Sequence, residues 1–204
     1  MTTAVLPAFT LNPARRAILL VTALLAMPFI VAFGLYWFEW RPATLGNHGE
    51  LIQPTLALPE SGLLFADGRP LPGTELRGKW TLLLISKGPC DTRCQAHLQQ
   101  MRQVQVSLNK EMGRLHRVLL GDSVTALAAD TALPGLRKSY PDLLIAAPIA
   151  GKDGDVLRSM LDSTNHRFYV IDPLGNVMMR YTNQPDMQGM RKDLERLLKY
   201  SWVG

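Results

Sequence analysis

Residues 80–101 read WTLLLISKGPCDTRCQAHLQQM, and this stretch decides the fold. Trp80 to Ser86 is an unbroken apolar run bounded by Gly78 and Gly88, the pattern of a central strand buried on both faces. Gly88-Pro89 stops it. From about Asp91 to Met112 the apolar positions Cys94, Leu98, Met101, Leu108 and Met112 fall on one helical stripe, which Gly113 is expected to end. Cys90 and Cys94, the only cysteines in the chain, stand where strand gives way to helix.

Further along, Leu115 to Leu120 predicts a second strand. Short helices are expected over Val124–Ala129 and Leu133–Tyr140, split by Pro134, then a loop over Pro148–Asp155 and a brief helix over Val156–Leu161. Phe168 to Ile171 and Val177 to Tyr181 predict an antiparallel hairpin about the turn Asp172-Pro173-Leu174-Gly175-Asn176. Met187 to Tyr200 closes the chain as a helix with Met190, Leu194, Leu197 and Leu198 inward. Strand, cysteine loop, helix, strand, irregular helical segment, hairpin and helix is the element order of an α/β, thioredoxin-like fold. The long crossover suits a right-handed parallel connection.

Ahead of this domain, Ala17 to Phe38 gives 22 residues without a charge, enough to cross a hydrocarbon core of about 30 Å as helix. One internal proline, Pro28, is tolerated in such a helix. Tyr36, Trp37, Phe38 and Trp40 form an interfacial aromatic belt at one end, and Arg15 and Arg16 flank the other. The positive-inside rule then places residues 1–16 in the cytoplasm, 17–38 as a single transmembrane helix, and the body on the far side. A cleaved signal peptide would have a shorter apolar region ending in small residues. Residues 39–72, rich in Pro and Gly, read as a tether merging into an entry hairpin (Leu63-Leu64-Phe65, the turn Asp67-Gly68, then Arg69-Pro70-Leu71), with the compact domain over 73–204. Residues 39–204 carry 20 basic and 17 acidic side chains, too small an excess to point to nucleic acid.

A lone CxxxC pair is a redox site, a metal site or a small staple. As a staple it closes a loop of about five residues, which the chain-entropy model values at roughly 2 kcal/mol. A helix N-terminus favours thiolate, and Lys87 and Arg93 add positive charge. Thiolate is both the nucleophile of disulfide exchange and a soft metal ligand, so these residues alone leave both open.

At this point the chain resembles the Sco/SenC family, membrane-anchored copper-binding proteins of the thioredoxin superfamily linked to assembly of the copper centre of cytochrome oxidase. The resemblance spans about residues 62–182: the entry hairpin leading to Leu76-Arg77-Gly78-Lys79-Trp80, the strand Thr81–Ile85, the Cys90/Cys94 pair, and Tyr169-Val170-Ile171-Asp172-Pro173-Leu174-Gly175. Asp91 and Gln95 stand where that family usually has proline, and His166 lies about two residues nearer the Asp-Pro turn than the family pattern. The resemblance implies copper held by Cys90, Cys94 and His166, with a cytochrome oxidase subunit or another assembly factor as partner. Two thiolates and an imidazole suit Cu(I). The place implied is a bacterial inner membrane with the domain periplasmic, since the short N-terminal tail is not a transit peptide.

The alternative is a periplasmic thiol–disulfide oxidoreductase in which Cys90 attacks and Cys94 resolves. Oxidoreductases of the superfamily usually have a proline before the hairpin strand, where this chain has Ser163-Thr164-Asn165-His166. Of the other histidines, His97, one turn beyond Cys94, is expected to be exposed, and His48 and His116 to be incidental. The nine methionines, Met178, Met179, Met187 and Met190 among them, read as core filling rather than a copper relay.

Overall fold

The computed structural model describes residues 12–40, 46–161 and 166–202. They form two units, up to Gly46 and from Asn47. The first is a single helix, α1 (Pro13–Trp37), which starts with Pro13 after Asn12, whose side chain accepts the Ala14 N–H. It is long and apolar enough to cross a membrane and has no buried residues.

The second unit is built on one eight-stranded sheet. Its strands are β1 (Glu50–Ala57), β2 (Leu63–Phe65), β3 (Pro70–Leu71), β4 (Trp80–Ile85), β5 (Leu115–Leu120), β6 (Leu143–Pro148), β7 (His166–Ile171) and β8 (Asn176–Thr182). Their spatial order is β1-β8-β7-β4-β5-β6-β2-β3. β4, β5 and β6 run parallel, while β7 lies antiparallel to β4 with Leu84 opposite Phe168. The helices are α2 (Thr92–Ser107), α3 (Val124–Ala128), α4 (Leu133–Ser139), α5 (Lys152–Leu161) and α6 (Met187–Tyr200).

Every residue of β4 is buried, as its continuous apolar run requires of a central strand. Alternation divides its side chains between two cores. Leu82 and Leu84 pack with Leu98 and Met101 of α2 and Met190, Leu194 and Leu198 of α6. Leu83 and Ile85 face a second cluster containing Leu157 of α5 and Leu63 and Leu71 of β2 and β3. The cysteines belong to the first cluster.

Several expectations change. The compact unit begins at Asn47, ahead of the boundary expected at 73, because β1 pairs with β8 along the sheet edge and the hairpin β2–β3 pairs with β6. Helix α2 stops at Ser107 rather than Met112. Asn109 takes a positive φ of 52°, and a 3-10 segment runs from Asn109 to Arg114. Pro134 does not split a helix but sits in the first turn of α4, where its missing N–H costs nothing. Leu143–Pro148, unassigned by sequence, is strand β6. Part of the expected loop over 148–155 is the first turn of α5. Helix α6 has the predicted limits, although Leu197 is only partly buried.

Candidate thiol and metal site

Where β4 ends, the chain turns through Gly88, whose φ of 74° is a conformation that side-chain-bearing residues resist. The loop is gripped from the segment after β5. The Gly88 N–H donates to Asp122 Oδ2 at 2.6 Å, and the Cys90 N–H to Asp130 Oδ2 at 2.8 Å. Asp130 is buried and accepts the Ala132 N–H as well, at 2.9 Å. Asp91 then caps α2, its side chain accepting the Cys94 N–H at 2.8 Å. Cys90 therefore lies just outside the helix and Cys94 in its first turn, with their sulfurs joined in a disulfide and their Cα atoms 5.1 Å apart. Both residues are buried.

The antiparallel register of β7 on β4 brings the start of β7 to the end of the sheet that carries the cysteine loop. His166 is that first residue, its backbone paired with Thr182 of β8. Its imidazole, like residues 162–165, lies outside the described side chains. Among the described residues, no three His, Cys, Asp or Glu side chains gather as a metal ion would need. The two sulfurs fit a soft ion once reduced, and a third ligand has to come from elsewhere.

His97 is not exposed as expected. It is 8% accessible and meets the Phe168 ring edge-on with centroids 5.1 Å apart. The reason is that β7 passes beneath the inward face of α2. Burial, with Arg167 and Arg93 adding positive charge, holds its pKa below the ordinary value, so this imidazole is neutral at pH 7. His116, half-buried on β5, is also shifted down, by desolvation and then by Lys79.

His48 is not incidental either. Its backbone N–H donates to Asp193 Oδ2 at 2.9 Å, and its Nδ1 lies 3.3 Å from Oδ1 of the same carboxylate. The ring packs so closely over Gly189 that a Cβ there would meet it at 2.5 Å. Met101, Met179 and Met190 behave as filling: all three are buried, and Met179 Sδ lies 3.0 Å from the Tyr181 hydroxyl, whereas Met112 is exposed.

A family model described as transmembrane-like, thioredoxin-like, C-terminal domain matches residues 80–201. The chain belongs to this family. No curated protein matches it. Among solved structures, yeast Sco1 with copper bound superposes at a TM-score of 0.55 with 17% identity, covering 74% of this chain and 96% of that one. Arabidopsis thaliana ScoI with copper bound gives 0.53 and 16%, covering 76% and 99%. BsSco, a Sco-family cytochrome c oxidase assembly protein described for its disulfide switch, gives 0.51 and 14%, covering 74% and 99%. At these identities the likeness establishes the fold: this member of the transmembrane-like thioredoxin family shares the Sco architecture.

Asp122, Asp130 and Asp193 were not among the residues the sequence singled out. Each acts on a backbone N–H far away in the chain, and no local spacing signals that.

Proposed function

We propose that this transmembrane-like thioredoxin-family protein is a single-pass membrane protein whose periplasmic domain binds copper as cargo through Cys90, Cys94 and His166 and serves the assembly of a cytochrome oxidase. The observation that carries the reading is the meeting, at one end of the sheet, of a closely spaced sulfur pair and the start of β7 at His166. The copper-bound Sco proteins that share this fold support it. Arg15 and Arg16 before the apolar helix support the orientation, with the N-terminus cytoplasmic.

Reduction of the disulfide, two electrons and two protons from a dithiol partner, precedes loading. Cys90 and Cys94 then offer thiolates from the start of α2, where the positive end of the helix dipole favours negative charge. The carboxylates of Asp122 and Asp130 hold the loop through its N–H groups while the sulfurs are free.

Titration of the reduced full chain with Cu(I) in detergent, against a competing chelator, tests the proposal. One equivalent is expected to bind. His166→Ala is expected to weaken binding by more than about tenfold, roughly 1.4 kcal/mol, and Cys90→Ser/Cys94→Ser to abolish it. Binding no stronger than in the double-serine variant removes the copper function, and full affinity in His166→Ala removes that residue from the ligand set.

The disulfide itself favours a second reading, thiol–disulfide exchange. Cys90 thiolate attacks a partner disulfide and releases one partner thiolate. Cys94 thiolate then attacks the Cys90 sulfur and releases the second, leaving the pair oxidised and the partner reduced. Cys94→Ser would then accumulate a mixed disulfide through Cys90, with no sensitivity to His166.

A further inference from the structure

We propose that the cleft between the β2–β3 turn and the end of α4 is a docking site for an acidic segment of a partner protein, one that carries two carboxylates close together. The proposal is independent of the choice between copper and thiol exchange.

β2 pairs with Ala146, Ala147 and Pro148 of β6, so Leu143 and Leu144 run on past its end. The turn after β2 and the last residues of α4 wall the space beside them, a cleft lined by Phe65, Asp67, Arg69, Arg137 and Tyr140. β4, β5 and β6 run parallel. This cleft, at the start of β6, therefore lies at the opposite end of the sheet from the cysteine loop, which follows β4.

The charges around the cleft do not balance. Asp67 accepts from the Arg69 N–H at 3.1 Å and from its guanidinium at 2.9 Å, and that guanidinium lies 5.6 Å from the Phe65 ring centre. These hydrogen bonds first, then the charges of Arg69 and Arg137, hold the Asp67 carboxyl below its ordinary range, so it is ionised and already engaged. Arg137 is exposed and makes no hydrogen bond or ion pair among the described residues, which leaves one cation over. Next to Tyr140, Arg102 and Arg117 share the single carboxylate of Asp142 at 3.1 and 2.8 Å, which leaves a second. Arg117 is completely buried, with its guanidinium 5.5 Å from the Tyr140 ring centre, and its Nε and Nη1 have no partner among the described residues. Salt screens a buried charge of this kind far less than an exposed one.

Two unbalanced cations beside a cleft walled by Phe65 and Tyr140 complement two carboxylates. All four of these cations are arginines, whose planar forks match carboxylate geometry, and arginine and tyrosine are the side chains that anchor protein–protein contacts. An anionic bilayer calls for a cluster of about four or more cations, and a nucleic acid for more still. A segment held here leaves the cysteine loop uncovered, so the chain stays on its partner while its sulfurs remain open to exchange.

The test is a fluorescence-anisotropy titration of the full chain, in an uncharged detergent, with a rhodamine-labelled, amidated peptide that has two glutamates one residue apart among serines and glycines. Saturable binding is expected, and a copy of the peptide with glutamine in both places is expected not to bind. Arg137→Gln changes an exposed side chain and is expected to weaken binding about tenfold. Lys192→Gln removes the same charge from the exposed side of α6 and is expected to bind as the parent does. Equal affinity in parent and Arg137→Gln, equal binding of the glutamine peptide, or no binding at all overturns the proposal. So does displacement of the labelled peptide by tripolyphosphate at lower concentration than by its unlabelled copy, which would mean that the cleft reads phosphate.

Discussion

Asp193→Ala is expected to destabilise the unit from Asn47 onward by about 3–5 kcal/mol, a large share of the roughly 5–15 kcal/mol that holds a domain folded. The carboxylate is 3% accessible and accepts the backbone N–H groups of His48 and Gly49, the latter at 2.8 Å, and the Tyr181 hydroxyl at 3.0 Å, with the His48 ring beside it. Truncation leaves the Gly49 N–H buried without this acceptor, at about 1–3 kcal/mol, and removes the acceptor of the His48 N–H and the stronger of the two acceptors beside the Tyr181 hydroxyl. Tyr181 cannot compensate by ionising: burial, the largest cause of its raised pKa, persists in the variant, so its hydroxyl remains a donor. Tyr181→Phe removes one donor and is expected to cost only about 1 kcal/mol. Urea unfolding of the full chain in detergent measures both. Hydrogen exchange should also show the Gly49 and Glu50 amides losing protection in Asp193→Ala, because the carboxylate fixes the start of β1. A loss below about 1 kcal/mol in Asp193→Ala would show that Asp193 is not the latch between the incoming chain and α6.

That latch also shows where sequence reasoning stops. β4 was legible because a central strand buried on both faces has a continuous apolar run, and α6 because its inward residues recur at helical spacing. The cysteine loop was legible because Gly88-Pro89 and the thiol spacing are local signals. β1 was not. It is an edge strand exposed over most of its length, so alternation is weak, and Pro54 reads as a breaker although an edge accepts proline. β6 is six residues of Leu, Ile, Ala and Pro without period-2 polarity, which only its neighbours identify as strand. α5 carries Gly154 and two aspartates in its first half, which weakens its helical signal. In the site, Cys90 and Cys94 announce themselves by type, whereas Asp130 meets Cys90 across 40 residues and Asp193 meets His48 across 145. A buried carboxylate satisfied by distant backbone N–H groups leaves no pattern in the surrounding sequence. His97 was misplaced for the same reason: it follows Cys94 on the inward side of α2, and only the arrival of Phe168 from β7 shows that this position is covered.

Asp130 gives the second large effect, this time on the thiols. Its carboxylate bonds to the Cys90 N–H at 2.8 Å, which puts a negative charge within roughly 6 Å of the Cys90 sulfur by covalent geometry. At an effective dielectric near 20, two like charges at that separation repel by about 2–3 kcal/mol. The carboxylate therefore opposes formation of the Cys90 thiolate, while the helix N-terminus, Lys87 and Arg93 favour it. Asp130→Asn keeps an oxygen for the Cys90 N–H and deletes the charge, at the cost of the bond from the Ala132 N–H, which then faces the amide NH2. The pH midpoint for alkylation of Cys90, followed in reduced Cys94→Ser protein, is expected to fall by about one to two units on this replacement. Where the thiolate becomes the dominant form at neutral pH, the reduced pair is stabilised and the disulfide becomes easier to reduce, about 30 mV for each tenfold change in the exchange constant. A merely structural Asp130 would lower stability and leave the alkylation midpoint where it was. The sign of the shift carries the functional point. Easier reduction would increase the supply of soft sulfur ligands for copper, and would make the reduced pair a weaker reductant of a partner disulfide, the exchange of the second reading. Asp130 thus bears on the two chemistries in opposite senses, holding back thiolate ligands for copper while keeping the pair a stronger reductant, and its loss should be read in the copper titration and in the mixed-disulfide trap alike.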